Sequence, residues 1–175
     1  MKISSHFLRV GVLLVLWGTF THCSTTTIYL VRHAEKAAAP AADPPLTEAG
    51  QQRARALADT LRGRGVGLIY STNTLRTRST AAPVADEVGV PIRPYSTDTL
   101  WEVAQLLKKV PQKTVLVVGH SNTLLPLLEQ FPVKASLREI PDSDYDNLFV
   151  VTVRRRFLLP TRLSLRESTY GVLTP

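Results

Sequence analysis

Two short runs constrain this chain more than anything else in it: residues 26–31 (TTIYLV) and residues 114–119 (TVLVVG). Both are rich in β-branched and aliphatic side chains with almost no polar alternation. Such strands are buried on both faces, as in a parallel sheet covered by helices. Further short strands are predicted at 66–71, 90–93, 148–153 and 162–165, and helices fall between them. Residues 46–62 (LTEAGQQRARALADTLR) form an amphipathic helix with Thr47 as N-cap and Glu48 in the first turn. Residues 75–88 form a second, with Pro83 as a kink or break; 99–109 form a third, and 122–130 a fourth, with Pro126 near its first turn. Strands alternating with helices predict an α/β fold, a three-layer α/β/α sandwich around a mostly parallel central sheet. At 175 residues and 44% apolar content the chain suits one such domain.

The N-terminus follows another logic. Residues 1–9 carry Lys2 and Arg9 and no acid, and residues 10–20 (VGVLLVLWGTF) are an apolar run too short to span a bilayer comfortably. A basic head before such a run predicts a secretory signal peptide over residues 1–22, leaving residues 23–175 as the folded domain of an exported protein of the cell envelope or periplasm. Cys23, the only cysteine, follows directly. Its position loosely resembles the lipidated cysteine of bacterial lipoproteins, although Phe20, Thr21 and His22 depart from that pattern. Lipid attachment at Cys23 is the expectation, and cleavage nearby into a soluble form is the alternative.

In open α/β sheets, ligands bind beyond the carboxyl ends of the strands. With residues 1–22 set aside, two of the four histidines remain, and each ends one of the two best strands: Arg32 and His33 close the first, and His120 closes the 114–119 strand. Arg76 follows the 66–71 strand after a short loop and reaches the same edge. A single histidine there would be an ordinary strand end; two on separate strands form a constellation. Neither has a partner at metal-ligand spacing, and there is no cysteine cluster, so neither a metal nor a cofactor is expected.

The motifs around these residues occur in a recognisable order: "LVRHAEK", "PLTEAGQQRARALADTL", "TNTLRTRSTAAPVA" and "VLVVGHSNT". Together they resemble the histidine phosphatase, or phosphoglycerate mutase-like, superfamily, with Ala34 in place of the commoner glycine. The resemblance implies a phosphoglycerate mutase-like fold and a reaction in which His33 attacks phosphorus and carries the phosphoryl group. Arg32 and Arg76 would bind the phosphate oxygens through paired hydrogen bonds, and a protonated His120 would add a third donor. The free nitrogen of His33 would be aimed by a backbone hydrogen bond to the other. For the proton donor the resemblance points downstream of the second arginine, to Asp98 with Glu102 as alternative. Glu35, Asp142, Asp144 and Asp146 stay open, with turn or cap chemistry the plainer account. Arg78, two positions from Arg76, faces elsewhere.

The expected function is therefore an exported, metal-independent phosphatase acting on a phosphate monoester or phosphoramidate, its substrate a phosphorylated small molecule or a phosphohistidine protein. A non-catalytic envelope module binding phosphorylated ligands through the same arginines is one alternative; a mutase-type phosphotransferase is another, disfavoured by the short chain. The net charge of +7 fits a phosphorylated substrate or an anionic membrane surface as well as nucleic acid. Against nucleic acid, the basic run 154–157 (RRRF) lies between two predicted strands, where a solvated hairpin turn is expected. The run 63–67 (GRGVG) follows a helix and precedes a strand, the reverse of a dinucleotide loop, and is read as a helix stop and turn. Substrate specificity is expected from residues 37–45 and 140–147.

Overall fold

A computed structural model describes residues 23–174; the expected signal peptide and Pro175 lie outside the described residues. Six strands form one sheet: β1 (Cys23–Arg32), β2 (Val66–Ser71), β3 (Ile92–Pro94), β4 (Thr114–Gly119), β5 (Asn147–Arg156) and β6 (Leu159–Thr169). Their order is β3-β2-β4-β1-β5-β6. The first four are parallel, while β5 and β6 run antiparallel. The late strands are longer than the sequence pattern predicts, because each pairs along its whole length within one hairpin.

Helices α1 (Glu48–Leu61), α2 (Leu75–Val88), α3 (Leu100–Lys109) and α4 (Ser121–Glu129) cover the sheet. The pleat sorts the core into two layers. Tyr29 and Val31 of β1 join Leu116 and Val118 of β4 beneath Leu57, Leu61 and Val84 of α1 and α2. Ile28, Leu30, Val115 and Val117 point the other way, into Leu107, Leu124 and Leu128 of α3 and α4. The fold is the three-layer, phosphoglycerate mutase-like one.

Thr47 caps α1, its Oγ1 accepting from the Gly50 N–H at 3.1 Å. Gly50 has no substitute in reach: a Cβ there would sit 2.2 Å from the Glu35 carbonyl oxygen, so the helix can pack this tightly on the loop after β1 only with glycine. Pro83 does not break α2, which continues to Val88, and Pro126 lies within α4. The GRGVG segment forms the turn from α1 into β2.

Candidate active site

Arg32 and Gly119 are register partners at the ends of β1 and β4, and the His33 N–H donates to the Gly119 carbonyl at 2.9 Å. That pairing sets the two histidines together, ring centroids 5.4 Å apart and inclined at 66°. The end of β2 completes the row: Thr72 N–H donates to the Val118 carbonyl at 3.3 Å, and its Oγ1 lies 2.8 Å from His120 Nε2. Arg76, in the first turn of α2, is half-buried beside them. Thr80, one turn on, ties this helix to the loop after β1, accepting from Ala34 N–H at 2.9 Å and donating to the Arg76 carbonyl at 2.8 Å.

His33 is 4% exposed. Its Nδ1 lies 2.8 Å from the Ala34 carbonyl. A carbonyl can only accept, so in the neutral ring Nδ1 carries the proton and Nε2 keeps a free lone pair. Burial pushes the imidazole pKa down to about 4, helped by Arg32, His120 and Arg76 and opposed by the backbone hydrogen bond. His120 is likewise lowered to about 4, by burial and then by Arg76 and Arg32. Both rings are thus neutral at pH 7. The third donor that a protonated His120 would supply therefore needs a ligand charge to raise its pKa, because burial first, and then two guanidinium groups, oppose a positive ring here. The same two cations work against a metal ion between the histidines.

Arg32 is 3% exposed. Its Nη1 donates to three carbonyls of one loop, those of Pro141 at 2.7 Å, Asp142 at 3.1 Å and Asp144 at 2.9 Å. The opposite edge is nearly idle. Nη2 has one long contact, 3.4 Å to the fully exposed Asp142 carboxylate, and Nε is buried without a partner. The ring of Tyr145 lies 4.2 Å from the guanidinium carbon and 6.1 Å from the His33 ring. Arg76 mirrors this state: its Nε is buried and unpaired, and Nη1 is 3.7 Å from Asp43. Asp43 itself caps α2, accepting from Leu75 N–H at 2.8 Å.

The structure does not bring Asp98 or Glu102 into contact with this group. Asp98 lies in a single 3-10 turn opened by Ser96, both acids are exposed, and among the described residues neither carboxylate bonds to His33, His120, Arg32 or Arg76. The geometry explains the remaining acids. Glu35 accepts from Arg53 Nε at 2.9 and 3.0 Å; Asp144 and Asp146 accept from Thr174. Arg78 reaches Asn73 on the surface. Cys23 is an exposed free thiol at the start of β1. Sequence reasoning missed Thr72, Thr80, Tyr145 and Asp43. Asp43 had a local signal, an acid just ahead of the capped helix, but nothing in sequence placed it on α2.

Residues 28–104 match the family model of the histidine phosphatase superfamily (branch 1). No curated protein is detectably similar to the chain. Among solved structures, a protein from Nakamurella multipartitia assigned as phosphohistidine phosphatase SixA is 24% identical, with a TM-score of 0.60 over 85% of this chain and 98% of that one. The protein histidine phosphatase SixA complexed with tungstate is 17% identical, with a TM-score of 0.61 over 82% and 96%. A mycobacterial glucosyl-3-phosphoglycerate phosphatase is 14% identical, with a TM-score of 0.57 over 83% and 98%. These likenesses concern the fold.

Proposed function

We propose, on the premise that residues 28–104 match the histidine phosphatase superfamily and the fold is that of such phosphatases, that the chain is a metal-independent phosphatase working through a phosphohistidine on His33. The observation that carries this is the His33 imidazole, neutral and pinned at Nδ1 by the Ala34 carbonyl, which leaves Nε2 as the nucleophile.

Nε2 attacks phosphorus as the bond to the leaving group breaks, and the leaving atom departs with the bonding electrons and takes a proton from solvent. The ring, now bonded at Nε2 and protonated at Nδ1, is cationic, and the Ala34 carbonyl stabilises that charge. The idle Nε–Nη2 edge of Arg32 and the unpaired Nε of Arg76 offer hydrogen bonds to the equatorial oxygens, where transition-state charge is spread. His120 Nε2, which faces Thr72 Oγ1 at 2.8 Å, can exchange that partner for a phosphate oxygen and share a proton with it once a dianion offsets the two arginines. Water then attacks phosphorus, the P–N bond breaks, and inorganic phosphate leaves as Nε2 regains its lone pair.

Because Asp98 and Glu102 make no contact with the imidazoles, the site favours leaving groups that need little help from an enzyme acid. A phosphoramidate such as phosphohistidine fits, as does an aryl phosphate; an alkyl phosphate does not. The substrate named for the SixA structures is of that kind. Export through residues 1–22, with Cys23 as the point of lipid attachment, is part of the same proposal and is supported by sequence.

Rapid acid-free quenching of a reaction with a labelled aryl phosphate, with chelator present, tests it. Wild-type protein should carry base-stable, acid-labile label and turn over, and His33→Ala should do neither. Equal slow hydrolysis by both, with phosphate binding retained, would leave a binding module instead.

A further inference from the structure

The opposite edge of the sheet carries a second surface. There β5 and β6 meet at a turn whose tip is Phe157, Leu158 and Leu159, exposed by 61%, 86% and 56%. Leu158 has φ = 60°, in the left-handed region. Glycine or asparagine occupies that region with little strain, and leucine does not. A bulky apolar residue kept in an unfavourable backbone state, and almost wholly in water, gains nothing for the fold.

The surroundings of the tip are basic. Arg154 faces Arg162 across the hairpin, like charges opposed where opposite ones would stabilise the pair. Arg156 stands next to the turn and is the register partner of Cys23. Among the described residues, none of Arg154, Arg156 and Arg162 forms an ion pair. Residues 147–166 contain no acid at all. Arg155 is the exception to the expected solvated turn: it donates to Thr26 Oγ1 at 3.1 Å and to the Lys108 carbonyl. That bond brings the end of α3, with Lys108 and Lys109, to the same edge. The chain also enters β1 here, at Cys23, three positions after the end of the apolar run 10–20 in sequence.

We propose that the β5–β6 tip is a membrane-docking element, inserting Phe157, Leu158 and Leu159 into an anionic lipid surface while Arg154, Arg156 and Arg162 engage the headgroups. Apolar residues ringed by cations are what such a surface selects, and no described helix is long and apolar enough to cross a bilayer. Docked this way, the phosphate site at the far ends of β1, β2 and β4 faces away from the membrane. The inference depends neither on acylation of Cys23 nor on the phosphatase reaction.

Because residues 10–20 can themselves hold the full chain on vesicles, the test must read the tip. An environment-sensitive fluorophore on Thr161→Cys, in a Cys23→Ser background, is mixed with vesicles of one-third phosphatidylglycerol in phosphatidylcholine containing spin-labelled lipid. A blue shift and several-fold quenching are expected, reversed by 0.5 M salt and absent for the same probe on Thr97→Cys at the other edge. Arg154→Glu with Arg162→Glu should abolish the response. Leu158→Asn, which suits the left-handed backbone, should melt at a temperature no lower than wild type yet insert several-fold less. An unshifted probe at 161, an equal response in pure phosphatidylcholine or at position 97, or full insertion by Leu158→Asn would overturn the proposal. So would a shift without vesicles that grows with protein concentration, which would make the tip a contact between copies of this chain.

Discussion

Arg32 and Arg53 are both buried arginines, 3% and 4% exposed, and both belong to the region where β1 ends, yet their partners differ. Arg53 is saturated: Nε and Nη2 meet the Glu35 carboxylate at 2.8–3.0 Å, while Nη1 and Nη2 donate to the carbonyls of Tyr170 and Val172. Its charge is cancelled where it stands, so it joins β1, α1 and the C-terminal tail. Arg32 is fixed at one nitrogen by three neutral carbonyls and left open along the other edge, with only an exposed carboxylate nearby. A buried cation without a buried counter-charge costs stability, and its worth lies in the anion it can receive.

That contrast predicts opposite phenotypes. Arg32→Ala should lower kcat/KM by roughly 10²- to 10⁴-fold, with little loss of melting temperature, as checked by steady-state kinetics beside thermal unfolding. Arg53→Met should do the reverse. It strands the mostly buried Glu35 charge and should cost on the order of 3 kcal/mol, a drop of about 10 °C for a domain of this size, while the surviving folded protein keeps its turnover. If Arg53→Met lost activity at native stability, the two arginines would not divide as described.

The pH dependence separates the same two regions. His33 and His120 are lowered from 6.5 to about 4, so between those values the unfolded chain binds more protons than the native one. Their contribution to stability is therefore present above pH 6.5 and is lost as pH falls toward 4. For His33 the full loss is on the order of 3 kcal/mol, with less from the more open His120. Melting temperatures should fall across this window in wild type and in Glu35→Gln alike, and should flatten in His33→Ala. Saturating phosphate should also flatten the profile, because an anion on the arginines favours the charged imidazoles. An unchanged slope in His33→Ala would place the acid sensitivity elsewhere.

Much of this site was legible before any coordinates, and the reason is local. Strand, helix, the strand-end positions of Arg32, His33 and His120 and the helix-start position of Arg76 depend on residues within a few positions, and sheet pairing then carries them to one edge. What was not legible depends on contacts across the chain. The partners of Arg32 lie more than a hundred residues away, in the 141–144 loop. Glu35 had no role in sequence because Arg53 is one helix away. The resemblance points to Asp98 as an acid downstream of the second arginine, but the 3-10 turn at Thr97–Thr99 leaves that carboxylate in solvent, which no pattern of neighbouring residues announces. The RRRF run lies in the expected hairpin but is not solvated throughout, since Arg155 folds back onto the Lys108 carbonyl at the end of α3.

The smallest effect concerns Asp142, the carboxylate at the open edge of Arg32. Its side chain is fully exposed and 3.4 Å from Nη2, so the attraction is screened and weak. An incoming phosphate must displace it. Asp142→Asn should therefore bind inorganic phosphate about two- to fivefold more tightly by calorimetry, with the gain shrinking as salt is raised. Its backbone carbonyl, which also takes a bond from Arg32, is untouched by the substitution, so the loop keeps its anchor. Weaker phosphate binding would mean that the Asp142 side chain holds Arg32 in position rather than competing for it, and Arg32 would then resemble Arg53 more closely than its idle edge implies.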